Sequence, residues 1–276
     1  MWITHNQRLK IVENCLNCDN PIAENFCSNC GQKKYKRIDR KYIIDELQYS
    51  FVHTNKGFFY SLKNIVKNPG KTAKDFIDGN RVNHYKPLLL AFVISGISAF
   101  ISFKVIGTRE IMEEVYSKDN IDRTFMERYM TFMTSYNAFI MLLLVPIFAI
   151  FTKIGFRKWG HNYYEHVIMN AMILICYTVV SIMIVSPLIY VFGNNHTAFS
   201  AVMMLSILLI PFILVWFFKN LYDDKPLKSI IWRVLAIMFA MVIVFFIMIV
   251  LAVIIYFTYL GMYHPEVLET MKKTKQ

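Results

Sequence analysis

The chain has 276 residues, of which 56% are hydrophobic and 16% aromatic, and it carries a formal net charge of +11. Its apolar residues fall in blocks long enough for bilayer-spanning helices, which need roughly 20 mainly apolar residues. That composition excludes an ordinary soluble globule and predicts an all-α polytopic membrane protein, because backbone polar groups in lipid must bond within their own segment. The positive charge is concentrated in residues 1–86, with 15 Lys/Arg against 8 Asp/Glu. Directly before a span, such a surplus fits the positive-inside bias and anionic lipid better than nucleic acid.

Residues 12–34 contain Cys15-Leu-Asn-Cys18 and Cys27-Ser-Asn-Cys30. Two residues between cysteines let both thiolates of a turn point at one ion, and two such turns complete a tetrahedron around zinc. Gly31 after the second pair, and Asp19 with Asn20 after the first, tolerate the positive φ these turns demand. All four ligand positions come from the protein, so the ion is expected to be structural. Two disulfides are the alternative, and they would require an oxidising compartment. Phe26 is the lone aromatic among residues 12–34, which argues against stacking on nucleic acid. The fifth cysteine, Cys176, lies in an apolar run and reads as a packing residue.

Residues 35–86 are a basic linker and short amphipathic helices. Lys33, Lys34, Lys36, Arg37, Arg40 and Lys41 fall within nine residues and suit either anionic headgroups or a solvated linker. Ile43, Ile44, Leu47 and Phe51 recur at helical spacing, as do Phe58, Phe59, Leu62, Ile65 and Val66. Both stretches are too short to span. They are expected to lie on the membrane face or pack on the spans, the alternative being a small soluble bundle. Asn68-Pro69-Gly70 ends the second stretch, and Thr72 with Asp75 suggests a capping box for the next helix.

Five spans are expected near 87–106, 131–152, 167–192, 198–218 and 233–258, making residues 87–260 a transmembrane bundle and 261–276 a polar tail. Residues 1–14 lack the apolar core of a signal peptide, so the first span should serve as its own insertion signal. Of the 30 Lys/Arg, 22 fall on the amino-terminal side and its alternating loops. This predicts a cytoplasmic amino terminus and an external carboxyl terminus, and places the cysteines in a reducing compartment. Residues 104–130 form the largest outer loop. Ile111 and Val115, then Phe125, Tyr129 and Phe132, suggest an amphipathic helix there. Glu110, Glu113, Glu114, Asp119, Asp122 and Glu127 read as its solvated face.

The spans are poor in ionisable groups, which are functional by default at membrane depth; Arg233 stands at a boundary. Ser95, Ser98, Ser102, Asn137, Asn170, Ser181, Ser186 and Ser206 suit interhelical hydrogen bonds. Pro146, Pro187 and Pro211 suit packing kinks or a cavity. His161, Asn162, Tyr163, Tyr164, Glu165 and His166 in the second basic loop form the polar cluster of most interest. Glu165 beside His166 could act as an acid–base pair or share a metal, and Glu165 with His161 is a same-face pair at helical spacing. The competing reading is an interfacial belt of Trp159, Tyr163 and Tyr164 anchored by Arg157 and Lys158. Asp223-Asp224-Lys225-Pro226 reads as a turn and helix start. No phosphate loop, nucleophile elbow or H-E-x-x-H motif occurs.

The order Phe26-Cys27-Ser28-Asn29-Cys30-Gly31-Gln32, Lys56-Gly57-Phe58 with Leu62, Pro69-Gly70, Gly79-Asn80-Arg81 and Tyr85-Lys86-Pro87 resembles an uncharacterised bacterial membrane-protein family known as domain of unknown function 3667. The Tyr164-Glu165-His166 triplet also looks familial. The resemblance implies a multi-pass inner-membrane protein with an amino-terminal zinc ribbon and no assigned activity. A non-enzymatic scaffold is expected, whose ribbon engages a protein partner or the anionic inner leaflet. Arg81, Tyr85, His161, Tyr164, Glu165 and His166 would form its functional surface. A transporter or lipid-handling protein, and an interfacial enzyme using His161, Glu165 and His166, are the alternatives.

Overall fold

A computed structural model describes residues 13–34, 37–43, 57–116, 123–193 and 195–263. Much of the periodic stretch at Ile44–Phe51, together with Lys36, Asp119, Asp122 and the tail beyond 263, lies outside the described residues. Strands β1 (Glu13–Asn14) and β2 (Pro21–Ile22) pair antiparallel within the ribbon. The helices follow as α1 (Phe58–Lys67), α2 (Pro69–Ile77), α3 (Pro87–Phe100), α4 (Thr108–Tyr116), α5 (Arg123–Gly155), α6 (Tyr163–Val180), α7 (Ser186–Phe192), α8 (His196–Leu221) and α9 (Leu227–Tyr263). Among the described residues, five helical stretches are long and apolar enough to cross a membrane: Pro87–Val105, Glu127–Gly155, Tyr163–Phe192, Thr197–Leu221 and Leu227–Tyr256. The chain is an all-α polytopic membrane protein.

Two of these stretches contain π-helical turns, Ile101–Val105 after α3 and Ser181–Val185 between α6 and α7. The second directly precedes Pro187, which cannot donate a backbone bond. A widened turn absorbs that loss, and the span runs on into α7. Pro146 and Pro211 lie inside continuous helices. The second span begins earlier than its hydropathy alone suggests. Phe125, Tyr129 and Phe132 belong to α5 itself, an extension of that span rather than a separate surface helix. Ile111 of α4 does pack as an amphipathic contact, joining Met112 against Val185, Ile189, Phe199 and Val202 at that end of the bundle.

At the opposite end, α1 and α2 pack on the spans as a cap. Asn68 ends α1 and starts α2: its side chain accepts from the Lys71 N–H at 3.0 Å, and Pro69 takes the first helical position. The expected Thr72–Asp75 capping box does not form. The Thr72 hydroxyl donates instead to the Asn68 carbonyl at 2.8 Å, because the helix has already begun a turn earlier. Six of the nine residues of α2 are buried, including Ala73, Phe76 and Ile77. Burying each large apolar side chain stabilises by about 1.5–3 kcal/mol. One continuous core runs from Ile65, Phe76 and Tyr85 in the cap to Ile168, Met172, Phe217 and Phe218 in the spans. Cys176 is buried in that core, as a packing residue should be.

Two glycines explain how the cap sits so close. A Cβ on Gly70 would lie 2.1 Å from the Phe217 carbonyl oxygen and 2.8 Å from the Leu221 nitrogen. A Cβ on Gly57 would lie 2.3 Å from the Asn83 carbonyl oxygen. Both are backbone-to-backbone approaches, which only glycine permits. The final span behaves oppositely: only 6% of its apolar window is buried, so most of its length faces outward from the bundle.

Candidate metal centre and the polar cap that holds it

The two C-x2-C turns share one geometry. The Asp19 N–H donates to the Cys15 carbonyl at 2.8 Å, and the Gly31 N–H donates to the Cys27 carbonyl at 2.9 Å. Asp19 and Gly31 adopt φ of 58° and 75°, the left-handed conformation expected of both. These turns bring the four Sγ atoms within 4.8 Å of one another. Cys15 and Cys30 are 3.5 Å apart, and Cys18 and Cys27 are 3.6 Å apart. Tetrahedral Zn–S bonds of about 2.3 Å would place sulfurs about 3.8 Å apart, whereas a disulfide needs about 2.05 Å. The spacing therefore suits an ion, and all five cysteines are free thiols. A hydrogen bond from the Asn17 side chain helps hold the Cys30 thiol down at about 6, while burial pushes Cys15 up to about 11. Four soft donors with no open position fit a structural thiophilic cation, which would deprotonate all four.

Gln32, immediately after Cys30-Gly31, bolts this ribbon to the cap. Its amide nitrogen donates to the Gly79 carbonyl. Its carbonyl oxygen accepts from the Arg81 N–H at 3.2 Å and the Val82 N–H at 2.8 Å. The side chain is 4% exposed, so its partners have little access to water. Asn83 adds a side-chain bond to Asn17 at 2.8 Å. Gln32→Ala would leave up to three backbone groups unpaired at about 1–3 kcal/mol each where burial persists. We expect this variant to detach the ribbon while retaining its metal, seen as faster amide exchange at residues 79–82 with unchanged metal content.

A second attachment follows in sequence. The Arg37 Nε donates to Glu165 Oε1 at 2.8 Å, and one terminal nitrogen reaches Oε2 at 3.3 Å and the Gly160 carbonyl at 3.0 Å. Ile38 is fully buried, and the Asn162 amide donates to its carbonyl at 2.9 Å. The basic linker is thus, at this point, strapped across protein. Because Arg37 is half exposed, the ion pair contributes only about 1 kcal/mol.

Glu165 forms a capping box. Its carboxylate accepts from the Asn162 N–H at 2.7 Å, while the Asn162 side chain accepts from the Glu165 N–H at 2.9 Å. Between Arg37 and Asn162, both carboxylate oxygens are engaged. His161 stands outside the helix that starts at Tyr163, so the expected same-face pair with Glu165 is not helical. His161 Nδ1 lies 3.0 Å from the Tyr222 hydroxyl, and its carbonyl accepts from Lys153. Burial lowers the His161 pKa despite the nearby Glu165 carboxylate, and burial raises that of Tyr222. His166 is fully buried, its ring 6.3 Å from that of His161, and neither ring nitrogen has a partner among the described residues. Asn170 below it donates to the His166 carbonyl and to Thr152, both at 2.8 Å. Trp159 stacks under Arg233, whose guanidinium lies 4.6 Å from its ring and reaches the Gly155 carbonyl.

Arg81 folds back onto α2, donating to the Phe76 carbonyl at 2.9 Å and the Ile77 carbonyl at 3.1 Å. Its guanidinium also lies 4.7 Å from the Tyr42 ring. With Gly79 at φ 117°, the Gly-Asn-Arg sequence is a helix stop closed by a side chain. Tyr85 is buried edge-on to Phe58 at 5.6 Å, and its N–H donates to the Ser61 hydroxyl at 2.6 Å. Arg81 thus joins the ribbon seam and Tyr85 packs on α1, while His161, Glu165 and His166 cluster beneath the Arg37 strap. Sequence reasoning placed Gln32, Arg37, Asn68 and Asn162 in motifs, a basic run, a turn and a polar cluster, but missed the bonds they make. Asn162-x-x-Glu165 is a readable capping-box pattern; the partners of Gln32 and Arg37 are tertiary.

These features define a multi-pass helical membrane protein carrying a docked four-cysteine knuckle. Residues 55–99 match the family model described as Protein of unknown function (DUF3667), which supports the resemblance seen in the motifs. The matched segment covers α1, α2 and most of α3, the scaffold on which the ribbon sits. No curated protein and no solved structure is significantly similar to the chain.

Proposed function

We propose that the chain is a non-enzymatic scaffold of the bacterial inner membrane, in which a structural zinc ion stiffens a cytoplasmic ribbon that receives a protein partner. The observation that carries this reading is the ribbon's two-sided character. Its base is fixed by Gln32, whereas Leu16 and Phe26 remain 51% and 59% exposed. Rigid, exposed apolar side chains on a small module suit a protein surface. The cysteine set favours zinc because a closed tetrahedron of thiolates needs neither redox change nor an open position. The lysine and arginine distribution supports an inside amino terminus. Glu165, engaged by Arg37 and its own helix cap, supports a structural role for Tyr164–His166 in the first turn of α6.

Photo-crosslinking from positions 16 and 26 in intact cells tests the partner. A discrete protein adduct that disappears when Cys27 is changed to serine is the expected result. Adducts to lipid alone would instead assign the ribbon to the inner leaflet. A carboxyl-terminal reporter active in the cytoplasm would overturn the orientation.

A further inference from the structure

A cavity of about 310 Å³ opens between the end of α1, the start of α2 and the turn after it, lined by Tyr60, Asn64, Lys67, Lys71, Asp75, Asn80 and His84 among others. This is the lower end of small-ligand sites, sized for a headgroup rather than a whole lipid. Its polar groups are left over from folding. The Asn80 Oδ1 is buried without a partner among the described residues, and His84 is 8% exposed. The Ser61 hydroxyl accepts from the Tyr85 N–H and lies 3.5 Å from His84 Nδ1. With Nδ1 accepting that contact, Nε2 carries the ring proton, and no partner for it is present among the described residues. Lys67, Lys71 and Asp75 likewise have no side-chain ion pair there.

The inventory is two-signed: two ammonium groups and an imidazole N–H as donors, a carboxylate and an amide oxygen as acceptors. Position adds a second constraint. Asn68 at the cavity wall donates to Asn220, the penultimate residue of the Thr197–Leu221 span. His84 lies three residues before the Pro87–Val105 span. The cavity therefore sits at the level where spans leave the hydrocarbon, which is headgroup depth.

We propose that this cavity binds a phosphoethanolamine group, with Lys67, Lys71 and His84 on the phosphate and Asp75 and Asn80 on the ammonium. A buried acceptor left unpaired costs about 1–3 kcal/mol, and an ammonium donor would satisfy Asn80. Charge-assisted bonds from the two lysines hold the phosphate.

The test titrates full-length protein in detergent micelles with soluble glycerophosphoethanolamine, followed by calorimetry. Binding is expected, with glycerol phosphate and ethanolamine each at least tenfold weaker. K67A/K71A should weaken it at least tenfold; both lysines are exposed, so the fold is unaffected. Asn80→Ala should reduce discrimination against glycerol phosphate. Protein taken from nanodiscs of equal phosphatidylethanolamine and phosphatidylglycerol distinguishes the sources. Retention of phosphatidylethanolamine by mass spectrometry, lost in K67A/K71A, assigns the lipid headgroup. Soluble binding without retention assigns a free phosphoester. Neither binding nor retention, equal affinity for inorganic phosphate, or undiminished binding by K67A/K71A would overturn the proposal.

Discussion

Replacing Cys27 and Cys30 together by serine is expected to abolish metal binding and unfold residues 13–34 while the five spans remain inserted. The ribbon's own buried set is Cys15, Ile22 and Cys27, with Cys18 and Cys30 packed against it. Burying Ile22 contributes at most about 3 kcal/mol. Ordering each residue's backbone costs on the order of 1–2 kcal/mol, so the apolar core alone is far too small. Metal binding of about 10–16 kcal/mol in comparable modules makes up the difference. Elemental analysis should show loss of the ion, and limited proteolysis should cut within 13–34 while sparing the membrane region. A double variant that keeps its metal would refute the four-sulfur site.

The second large effect is expected at Gly70. Gly70→Ala places a methyl 2.1 Å from the Phe217 carbonyl oxygen and 2.8 Å from the Asn220 Cβ. Backbone cannot swing aside as a side-chain tip can, so α2 must shift off α8 and open the Phe76–Phe217 region of the core. We expect a loss of about 3 kcal/mol or more, at the upper end of overpacking costs. Gly96→Ala in α3 is the control: nothing lies within 4 Å of its Cβ position. It should be neutral or stabilise by about 0.5–1 kcal/mol through helix propensity. Thermal unfolding of the detergent-solubilised chain measures both, and equal midpoints would defeat the close-approach argument.

The membrane architecture was legible because hydropathy in long blocks has few other uses, and each span overlaps its expected range, the largest difference being the fifth, which begins at Leu227 rather than 233. The cysteine turns were equally legible, down to the positive φ of Asp19 and Gly31, since C-x2-C chemistry is local. Asp223–Pro226 likewise forms the turn between α8 and α9. What escaped depends on partners distant in sequence. Pro69-Gly70 reads as a breaker, yet the glycine is there for Phe217. Glu165 spaced four from His161 reads as a helical pair, yet the helix begins between them and the carboxylate turns back to cap it. Gln32 carries no signal of its own, because its partners are backbone atoms of a turn 47 to 50 residues away.

The Arg37–Glu165 strap has a consequence for biogenesis. Its two halves are 128 residues apart, with two complete spans between them. During synthesis the amino-terminal module is finished long before its second anchor exists, and it stays singly tethered until the third span is in place. Closure of the strap therefore reports that the first half of the protein has been threaded correctly.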